Sequence, residues 1–343
     1  MKRRLLFIVL LVVSISFLQH APVDARNLSS PVVVKLATIA PNGSPWHETL
    51  KDMGEQWQQI SNGQVVLRIY PGGVAGGERD VIRRIRIGQL HASLITNNGL
   101  SSIAPEVSAL VIPLLTDSRE SLDRVFAALT PRLDVLLEEK GFIVLNWGDA
   151  GWVRFFVSTP DPSIEAVQKA KLFVWSGDDT TVEVWKKSGF NAIPLSATDI
   201  LPSLQTGMIN AYNATAIVAL SSQWFAFTPV MIDLPWAPLI GATIISKRTW
   251  QKIPVSIRPQ LKAAAKDIGI RLRNEVHQME QEAILEMQKR GLTVIKPDDG
   301  QLKRWHEAIR ASYPHLKNKV VPAKWFDAAQ QAVLKAREKD HGN

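Results

Sequence analysis

The sequence predicts an α/β protein with two lobes. Strand-like and helix-like segments alternate along the first two thirds of the chain, which indicates a mostly parallel sheet with helices on its faces. The 343 residues are enough for two lobes of ordinary size. Residues 256–290 carry apolar side chains at spacings of three and four. This seam predicts one long helix that runs across both lobes and stiffens them.

The first 25 residues have the pattern of a cleaved signal peptide. Basic residues 2–4 precede an apolar run at residues 5–18, and Val-Asp-Ala at 23–25 offers a small-residue cleavage site. The run is short for a membrane span, although an uncleaved anchor is the alternative. We therefore expect export to the periplasm. Since the chain has no Cys, disulfides, thiolate metal sites and lipid attachment through cysteine are excluded.

The first part of the chain shows the alternation clearly. Apolar residues 32–38 predict a buried strand, and residues 46–61 predict a helix that Asn62-Gly63 ends. Residues 65–70 alternate as a strand, residues 78–87 form a helix that stops at Gly88, and residues 91–96 form a third strand. Further strands are predicted at 142–147, 153–158, 171–175 and 208–212. Further helices are predicted at 118–129, 179–188, 198–206, 298–312 and 322–338.

No catalytic or nucleic-acid motif accompanies this pattern. The seven His are scattered without an H-E-x-x-H pair, and no G-x-S-x-G elbow is present. The glycine-rich run at residues 70–79 lacks both G-x-G-x-x-G and the Walker lysine. The net charge of +8 comes without a nucleic-acid fingerprint, and it suits attraction of anions or of an acidic partner surface. We expect no catalytic residues, no metal and no cofactor.

Five segments in order resemble one family of receptors. Residues 70–80 resemble its Tyr-Pro-x-x-x-Leu-Gly-x-Glu-Arg-Glu loop, and residues 204–211 (Leu-Gln-Thr-Gly-Met-Ile-Asn-Ala) resemble Leu-Gln-Thr-Gly-Val-Val-Asp-Gly. Residues 245–254 resemble the entry into its long helix, and residues 61–65 and 113–115 match shorter motifs. The family is the solute-binding component of TRAP (tripartite ATP-independent periplasmic) transporters, of the dicarboxylate-receptor (DctP) type. The resemblance covers residues 33–335.

The resemblance implies a two-lobed periplasmic solute-binding protein fold with discontinuous lobes, hinge strands and a long C-terminal helix. After the signal peptide at 1–25, residues 26–149 with about 237–255 are expected to form the N-terminal lobe and residues 150–236 the C-terminal lobe. Residues 256–343 would supply the long helix and the last helices. The implied function is to bind a small molecule by lobe closure and to deliver it to TRAP membrane permease subunits.

The resemblance also assigns site residues, and several depart from the family pattern. Phe173 stands where the family carries an arginine that grips the ligand carboxylate. Asn213 takes the place of an acid. Glu78 matches a residue that lines the cleft, although it equally fits a role at a helix N-terminus. Arg154 matches a second arginine, and a surface position is its alternative.

These departures replace charged groups with aromatic, amide or aliphatic ones. The hypothesis is a larger, less charged or partly apolar ligand, held by an aromatic set: Trp152, Phe173, Trp175, Tyr212 and Trp236. One alternative is that these rings only pack between lobes, and another is that Arg154 alone holds a carboxylate. An alternative function keeps the fold for a periplasmic carrier of a hydrophobic or lipid-like ligand that works with an accessory protein. An enzyme on this scaffold lacks the required groups.

Overall fold

The computed structural model describes residues 30–340, with side chains up to residue 334, and in this range nine strands form one sheet. The predicted signal peptide lies outside the described residues. The strands are β1 Val32–Thr38, β2 Val65–Tyr70, β3 Ala92–Thr96, β4 Phe142–Val157, β5 Leu172–Trp175, β6 Ala192–Leu195, β7 Ala211–Thr215, β8 Val230–Ser246 and β9 Thr293–Ile295.

Twelve α-helices of the described chain cover this sheet. They are α1 Pro45–Ile60, α2 Glu78–Arg86, α3 Asn97–Ser101, α4 Arg119–Glu139, α5 Ile164–Lys169, α6 Asp179–Lys187, α7 Ile200–Gln205, α8 Ala216–Ser221, α9 Lys247–Lys252, α10 Arg258–Lys289, α11 Asp299–Leu316 and α12 Ala323–Asp340. Short 3-10 helices lie at Pro105–Val111, Ala197–Asp199 and Trp224–Phe227. The predicted α/β class is confirmed.

The strand order divides the sheet into two lobes. The order is β2-β1-β3-β8-β4-β7-β5-β6, and β9 pairs with β8. The first lobe contains β1 to β3, and the second contains β5, β6, β7 and β9. Strands β4 and β8 run side by side through both lobes, from Phe142 opposite Ser246 to Val157 opposite Val230. The two lobes are therefore joined by two long strands that pair with each other.

The sheet is mixed: five of its strand pairs are parallel, as expected, and three are antiparallel. Parallel pairs form within each lobe, as between β1 and β2 or β5 and β6. Strand β8 instead runs antiparallel to β3 and to β4, and β4 runs antiparallel to β7. The difference arises because β4 leads the chain into the second lobe and β8 brings it back beside β4. Because of this return, neighbouring strands at the centre of the sheet run in opposite directions.

The two strands predicted at 142–147 and 153–158 are one continuous strand. Residues 148–151 (Gly-Asp-Ala-Gly) look like a turn in the sequence, but they continue beside β8 with a shift of register between Asp149 and Trp152. Gly151 has a φ of +86°, in the left-handed region that favours glycine. The glycines thus provide an irregularity within β4 at the point where it passes from one lobe to the other.

Strand β8 was not predicted from the sequence. Its apolar residues do not alternate with polar ones, and it contains Pro235 and Pro238, which remove donors from a strand ladder. The ladder shifts between Val153 and Phe155 of β4, opposite this proline-containing stretch. Pairing with β4 over most of its length keeps β8 extended in spite of the prolines.

Several boundaries differ because tertiary packing overrides local signals. Helix α4 continues through Pro131 to Glu139, since Leu129, Leu133 and Leu137 remain buried on one face. Strand β7 lies at Ala211–Thr215 rather than at 208–212. The short elements α3, α5, α8, α9, β6 and β9 carry too few residues for a periodic pattern and were missed.

The long helix is confirmed as α10, and its apolar seam is its buried face. Leu261, Ile268 and Val276 are nearly inaccessible to solvent. The helix packs on α1 and β4 in one part and on α8 in another, so it contacts both lobes. At Gly269 an added Cβ would lie 2.8 Å from the Cβ of Asn146, so only glycine allows this close approach to β4.

Two ion-pair clusters fix α10 to β4 where β4 changes lobe. In the first, Arg154 Nη1 donates to Glu280 Oε1 at 2.5 Å and Arg154 Nε donates to Asp233 Oδ1 at 3.0 Å. Glu280 Oε1 also accepts the Trp152 backbone N–H at 2.9 Å. The side chains of Arg154 and Glu280 are only 7% and 2% exposed. Their charges are compensated by each other rather than by water.

In the second cluster Arg273 of α10 connects β4 to α4. Its Nε donates to Asp149 Oδ2 at 3.0 Å, its Nη2 pairs with Asp123, and its guanidinium lies 4.1 Å from the centre of the Phe126 ring. Asp149 is itself almost fully buried. The helix is thus held on both sides of the Gly151 irregularity.

We expect Glu280→Gln to destabilise the fold, because Arg154 would lose one of its two anionic partners in a buried position. The free energy of unfolding should fall by about 3 kcal/mol, the low end for breaking a buried pair, since Asp233 still compensates part of the charge. Urea denaturation followed by circular dichroism measures this. The control is Glu282→Gln, at an exposed position of the same helix, and it should change stability little. Equal stability of the two variants would contradict a structural role for the pair.

Candidate functional site

A cavity lies between the two lobes, at the carboxyl ends of parallel strands. We call it the main cavity, and its volume is about 330 Å³. Thr38 at the end of β1, Thr96 at the end of β3 and Trp175 at the end of β5 all line it. Gly148 of β4 and Gly241 of β8 form its floor where the strands cross between lobes. Ligand sites of open α/β sheets are found at such strand ends.

Aromatic rings from both lobes form much of the wall. Phe173 and Trp175 of β5 pack edge to face with ring centres 5.2 Å apart. Trp46 enters from the start of α1, which Ser44 caps by accepting the His47 N–H, and Trp224 enters from a 3-10 helix. Such rings offer flat apolar surface that suits an apolar or aromatic ligand face.

The described residues place no cationic side chain in the wall of the main cavity. None of the described residues that line it is Lys, Arg or His, and its single charged residue is Asp149. The carboxylate of Asp149 is paired with Arg273, which does not itself line the cavity. Three polar side chains of the wall have no hydrogen-bond partner among the described residues: Asn213, Ser222 and Thr243. The wall is therefore apolar with a few neutral polar groups, and it offers nothing to neutralise a carboxylate.

A second, smaller cavity adjoins the first. We call it the side cavity, and its volume is about 190 Å³. It lies towards α11, whereas the main cavity lies towards α10. Four residues line both cavities: Val153, Trp175, Asn213 and Leu239. None of the described residues of the side cavity is Lys, Arg or His either.

Four of the predicted ligand residues reach these cavities. Phe173 lines the main cavity, Trp175 and Asn213 line both, and Trp236 lines the side cavity. Phe173 is only 1% exposed, because the rest of its ring packs against α7 and α8 in the core of the second lobe. Its ring therefore both completes the core and forms cavity wall at the position that the resemblance assigns to an arginine.

Two predicted aromatic residues lie elsewhere. Tyr212 is fully buried and stacks on Phe156 with ring centres 4.9 Å apart. Burial raises the pKa of its hydroxyl, and the neighbouring Thr228 hydroxyl opposes that shift. Trp152 lines neither cavity, and its backbone N–H donates to Glu280. Both residues have structural contacts, and neither lines the two cavities.

Arg154 lines neither cavity. The surface position considered for it is wrong, since the residue is buried. Its guanidinium is instead occupied by Glu280 and Asp233. A carboxylate ligand would have to displace one of these two protein carboxylates to reach it. The placement thus offers no support for a ligand held by Arg154 alone.

Glu78 likewise lines neither cavity, and it links α2 to α3. Its Oε1 accepts the Thr96 N–H at 2.6 Å, and its Oε2 accepts the Thr96 hydroxyl at 2.8 Å and the Gly99 N–H at 2.9 Å. Burial raises the pKa of this carboxyl, while the hydrogen bonds from Thr96 and Gly99 oppose the rise. Glu78 thus orders the end of β3, where Thr96 lines the main cavity.

Sequence reasoning missed several wall residues. Trp46 and Trp224 line the main cavity, and Trp185 and Phe190 line the side cavity. A signal existed for Trp46, because it follows directly after the loop at the end of β1, where parallel strands present ligand-binding residues. The others lie on helices or loops of the second lobe, and only the packing brings them to the cleft.

Across residues 30–340, no cluster of three or more His, Asp or Glu side chains is arranged to hold a metal ion. In the same range no helix combines the length and the apolar character needed to cross a bilayer.

The cleft and the crossing strands agree with a known protein family. The sequence model of DctP, described as bacterial extracellular solute-binding protein, family 7, matches residues 36–319. The chain belongs to this family. It is thus a solute-binding protein of the TRAP transporter type, which confirms the resemblance seen in the sequence motifs.

Relatives match between about half and most of the chain at low identity. The sialic acid-binding periplasmic protein SiaP of Vibrio cholerae is 22% identical over 301 residues, 86% of this chain and 92% of that protein. The 2,3-diketo-L-gulonate-binding periplasmic protein YiaO of Escherichia coli is 22% identical over 252 residues, 73% of this chain and 76% of that protein. An uncharacterised Salmonella typhimurium protein, YiiZ, is 26% identical over 182 residues, 52% of this chain and 55% of that protein.

Solved structures share the two-lobed fold. The sugar acid binding protein of Advenella mimigardefordensis in complex with galactonate superposes with a TM-score of 0.83, at 19% identity over 89% of this chain and 99% of that chain. A TRAP periplasmic solute-binding protein of Shewanella oneidensis with bound succinate gives 0.82, at 14% identity over 89% of this chain and 100% of that chain. The two-lobed solute-binding protein fold is confirmed.

We expect Glu78→Gln to act on stability, because a glutamine has one acceptor oxygen where the structure uses two. At least one of the three donors from Thr96 and Gly99 would lose its partner. The free energy of unfolding should fall by about 1–3 kcal/mol, measured by urea denaturation. The exposed Glu55→Gln on α1 serves as the comparison and should leave stability unchanged. A Glu78→Gln protein of wild-type stability would argue against this structural assignment.

Proposed function

We propose that this protein is the extracytoplasmic receptor of a TRAP-type transporter and that its ligand is a neutral, partly apolar small molecule. It would reside in the periplasm after removal of residues 1–25, bind its ligand between the lobes, and deliver it to membrane permease subunits. Family membership supports the receptor role. The absence of Lys, Arg and His from the described wall of the main cavity supports the ligand class.

The electrostatic argument concerns the cost of an unpaired anion. A carboxylate moved from water into an apolar cavity loses its hydration, and only a cation or several donors can compensate that loss. Each charged hydrogen bond that an arginine would provide is worth about 1.5–3 kcal/mol. In this chain Phe173 occupies the wall, and Arg154 and Arg273 are bound by protein carboxylates. The cavity therefore favours an uncharged ligand.

The four similar proteins named above bind acids: sialic acid, 2,3-diketo-L-gulonate, galactonate and succinate. We propose that this chain uses the same fold for a different chemical class. Trp46 from the first lobe and Trp175 and Trp224 from the second line one cavity, so closure of the lobes would bring rings onto both sides of an apolar ligand. Water excluded from these surfaces would favour the closed state.

The crossing strands support closure as the binding motion. Strands β4 and β8 connect the lobes beside Gly148, Gly151 and Gly241, where small backbone changes move one lobe against the other. We propose no catalytic role for any residue. The apolar wall also suits the alternative of a carrier for a hydrophobic or lipid-like ligand, but no observation favours an accessory protein.

A binding comparison of neutral and charged probes tests the proposal. We expect benzamide to bind and the matched benzoate to bind at least about tenfold more weakly, which corresponds to one charged hydrogen bond that the protein does not provide. Succinate, galactonate and sialic acid should give no saturable binding. Isothermal titration and tryptophan fluorescence measure both sets. Tight saturable binding of any of these acids would sink the assignment of a neutral ligand.

Phe173→Arg should restore affinity for acids. The new guanidinium would lie in the cavity wall, where only Asp149, already paired, carries charge. We expect the affinity for succinate to rise at least about tenfold over the wild type. Phe227→Arg adds the same charge at an exposed site outside both cavities and serves as the matched control. A thermal melt checks that the variants remain folded. Equal succinate binding by both variants would speak against Phe173 as the residue that excludes acids.

A further inference from the structure

The side cavity has the features of a second ligand subsite. It adjoins the main cavity through Val153, Trp175, Asn213 and Leu239, which line both. Like the main cavity it lies between the lobes, because Asn98 and Ile112 come from the first lobe and Trp236 from the second. A ligand in the main cavity would therefore have neighbouring space on the far side of Trp175 and Asn213.

The two sides of the side cavity differ in chemistry. Its second-lobe wall is largely aromatic: Trp185 stacks on Trp236 with ring centres 5.4 Å apart, and Phe190 packs edge to face on Trp236. The same wall carries Asp178, whose carboxylate accepts the N–H groups of Thr180 and Thr181 and the Thr181 hydroxyl. The first-lobe wall carries neutral polar side chains of α3 and the following 3-10 helix: Asn97, Asn98, Ser101 and Ser108. Together the two walls suit a second flat apolar group with a polar edge. No cation among the described lining residues is available for a negatively charged group.

Asn213 lies where the main cavity and the side cavity meet, and its side chain can form hydrogen bonds with a ligand there. It stands opposite Phe155 in the ladder between β7 and β4. Its carboxamide contacts both cavities and pairs with no described side chain or backbone group. A carboxamide can donate through nitrogen and accept through oxygen, so it matches a neutral group that does the same, such as an amide or a hydroxyl. A carboxylate could use only the donor and would face the oxygen.

We propose that the two cavities form one two-chambered site for an elongated neutral ligand. An apolar group would fill the main cavity against Phe173 and Trp175. A central amide-like or hydroxyl group would bind Asn213, and a second flat group would enter the side cavity against Trp236. The proposal rests on the receptor function and neutral ligand class given above, and it adds the shape of the ligand and the residue that recognises its middle.

Probes of two lengths test the chambers separately. Benzamide carries one ring and an amide, whereas N-benzylbenzamide carries a ring on both sides of the amide. We expect N-benzylbenzamide to bind the full-length mature protein at least about tenfold more tightly, because the second ring removes further apolar area from water. Isothermal titration gives both dissociation constants.

Variants that fill the side cavity provide the decisive arm. Ser108→Phe places a ring in the side cavity, and Ser101→Phe does the same from α3 in case the first variant is unstable. Either should abolish the advantage of N-benzylbenzamide and leave the affinity for benzamide unchanged. Ser256→Phe, at an exposed position outside both cavities, is the matched control and should keep the advantage. Asn213→Leu should weaken both amides by about fivefold, the effect of one neutral hydrogen bond.

The outcomes separate this inference from the receptor proposal. Equal affinity for the two amides, or an advantage that survives both filled variants, overturns the two-chambered site while benzamide binding still supports a neutral ligand. Failure of both amides to bind also overturns it. Binding of benzoate in preference to benzamide instead overturns the neutral ligand class, and the two-chambered site falls with it.

Discussion

The contact between Glu280 of α10 and the crossing segment of β4 is the interaction on which both lobes depend. Glu280 holds the Arg154 side chain and the Trp152 N–H together, and Arg273 holds Asp149 on the other side of Gly151. Because these charges are buried, each needs its partner, and the helix cannot slide along the strand without exposing one of them. The same pairing occupies two arginines that lie near the cleft, and no Lys, Arg or His is among the described residues that line either cavity.

The chemistry of the cleft follows from this arrangement together with Phe173. In a low-dielectric cavity a single unpaired charge decides whether an anion can bind. Here the aromatic ring of Phe173 replaces a charge in the wall, and neutral groups such as Asn213 remain to orient a ligand. A fold shared with acid-binding proteins can therefore serve a different class of molecule through a few wall residues, since fold alone does not fix the ligand.

The sequence predicted the fold class and the long helix, but it could not assign the faces of the strands. Adjacent strand residues point to opposite sides. In β7, Asn213 faces the cavities and Tyr212 faces the core; in β4, Val153 lines both cavities while Arg154 is paired beneath. Strand β8 was hidden by its prolines. The motif assigned Glu78 to the cleft. In the folded protein its carboxylate instead accepts hydrogen bonds from backbone N–H groups that are distant in the sequence.

The path of β8 affects the order in which the protein can form. Its last residues, 241–245, are inserted between β3 and β4, so the sheet of the first lobe is incomplete until they arrive. A ribosome that has released only residues 30–150 has therefore made a half-sheet with an unpaired edge at β3, which is open to aggregation. The two lobes therefore complete their shared sheet only after residues 230–246 have been made.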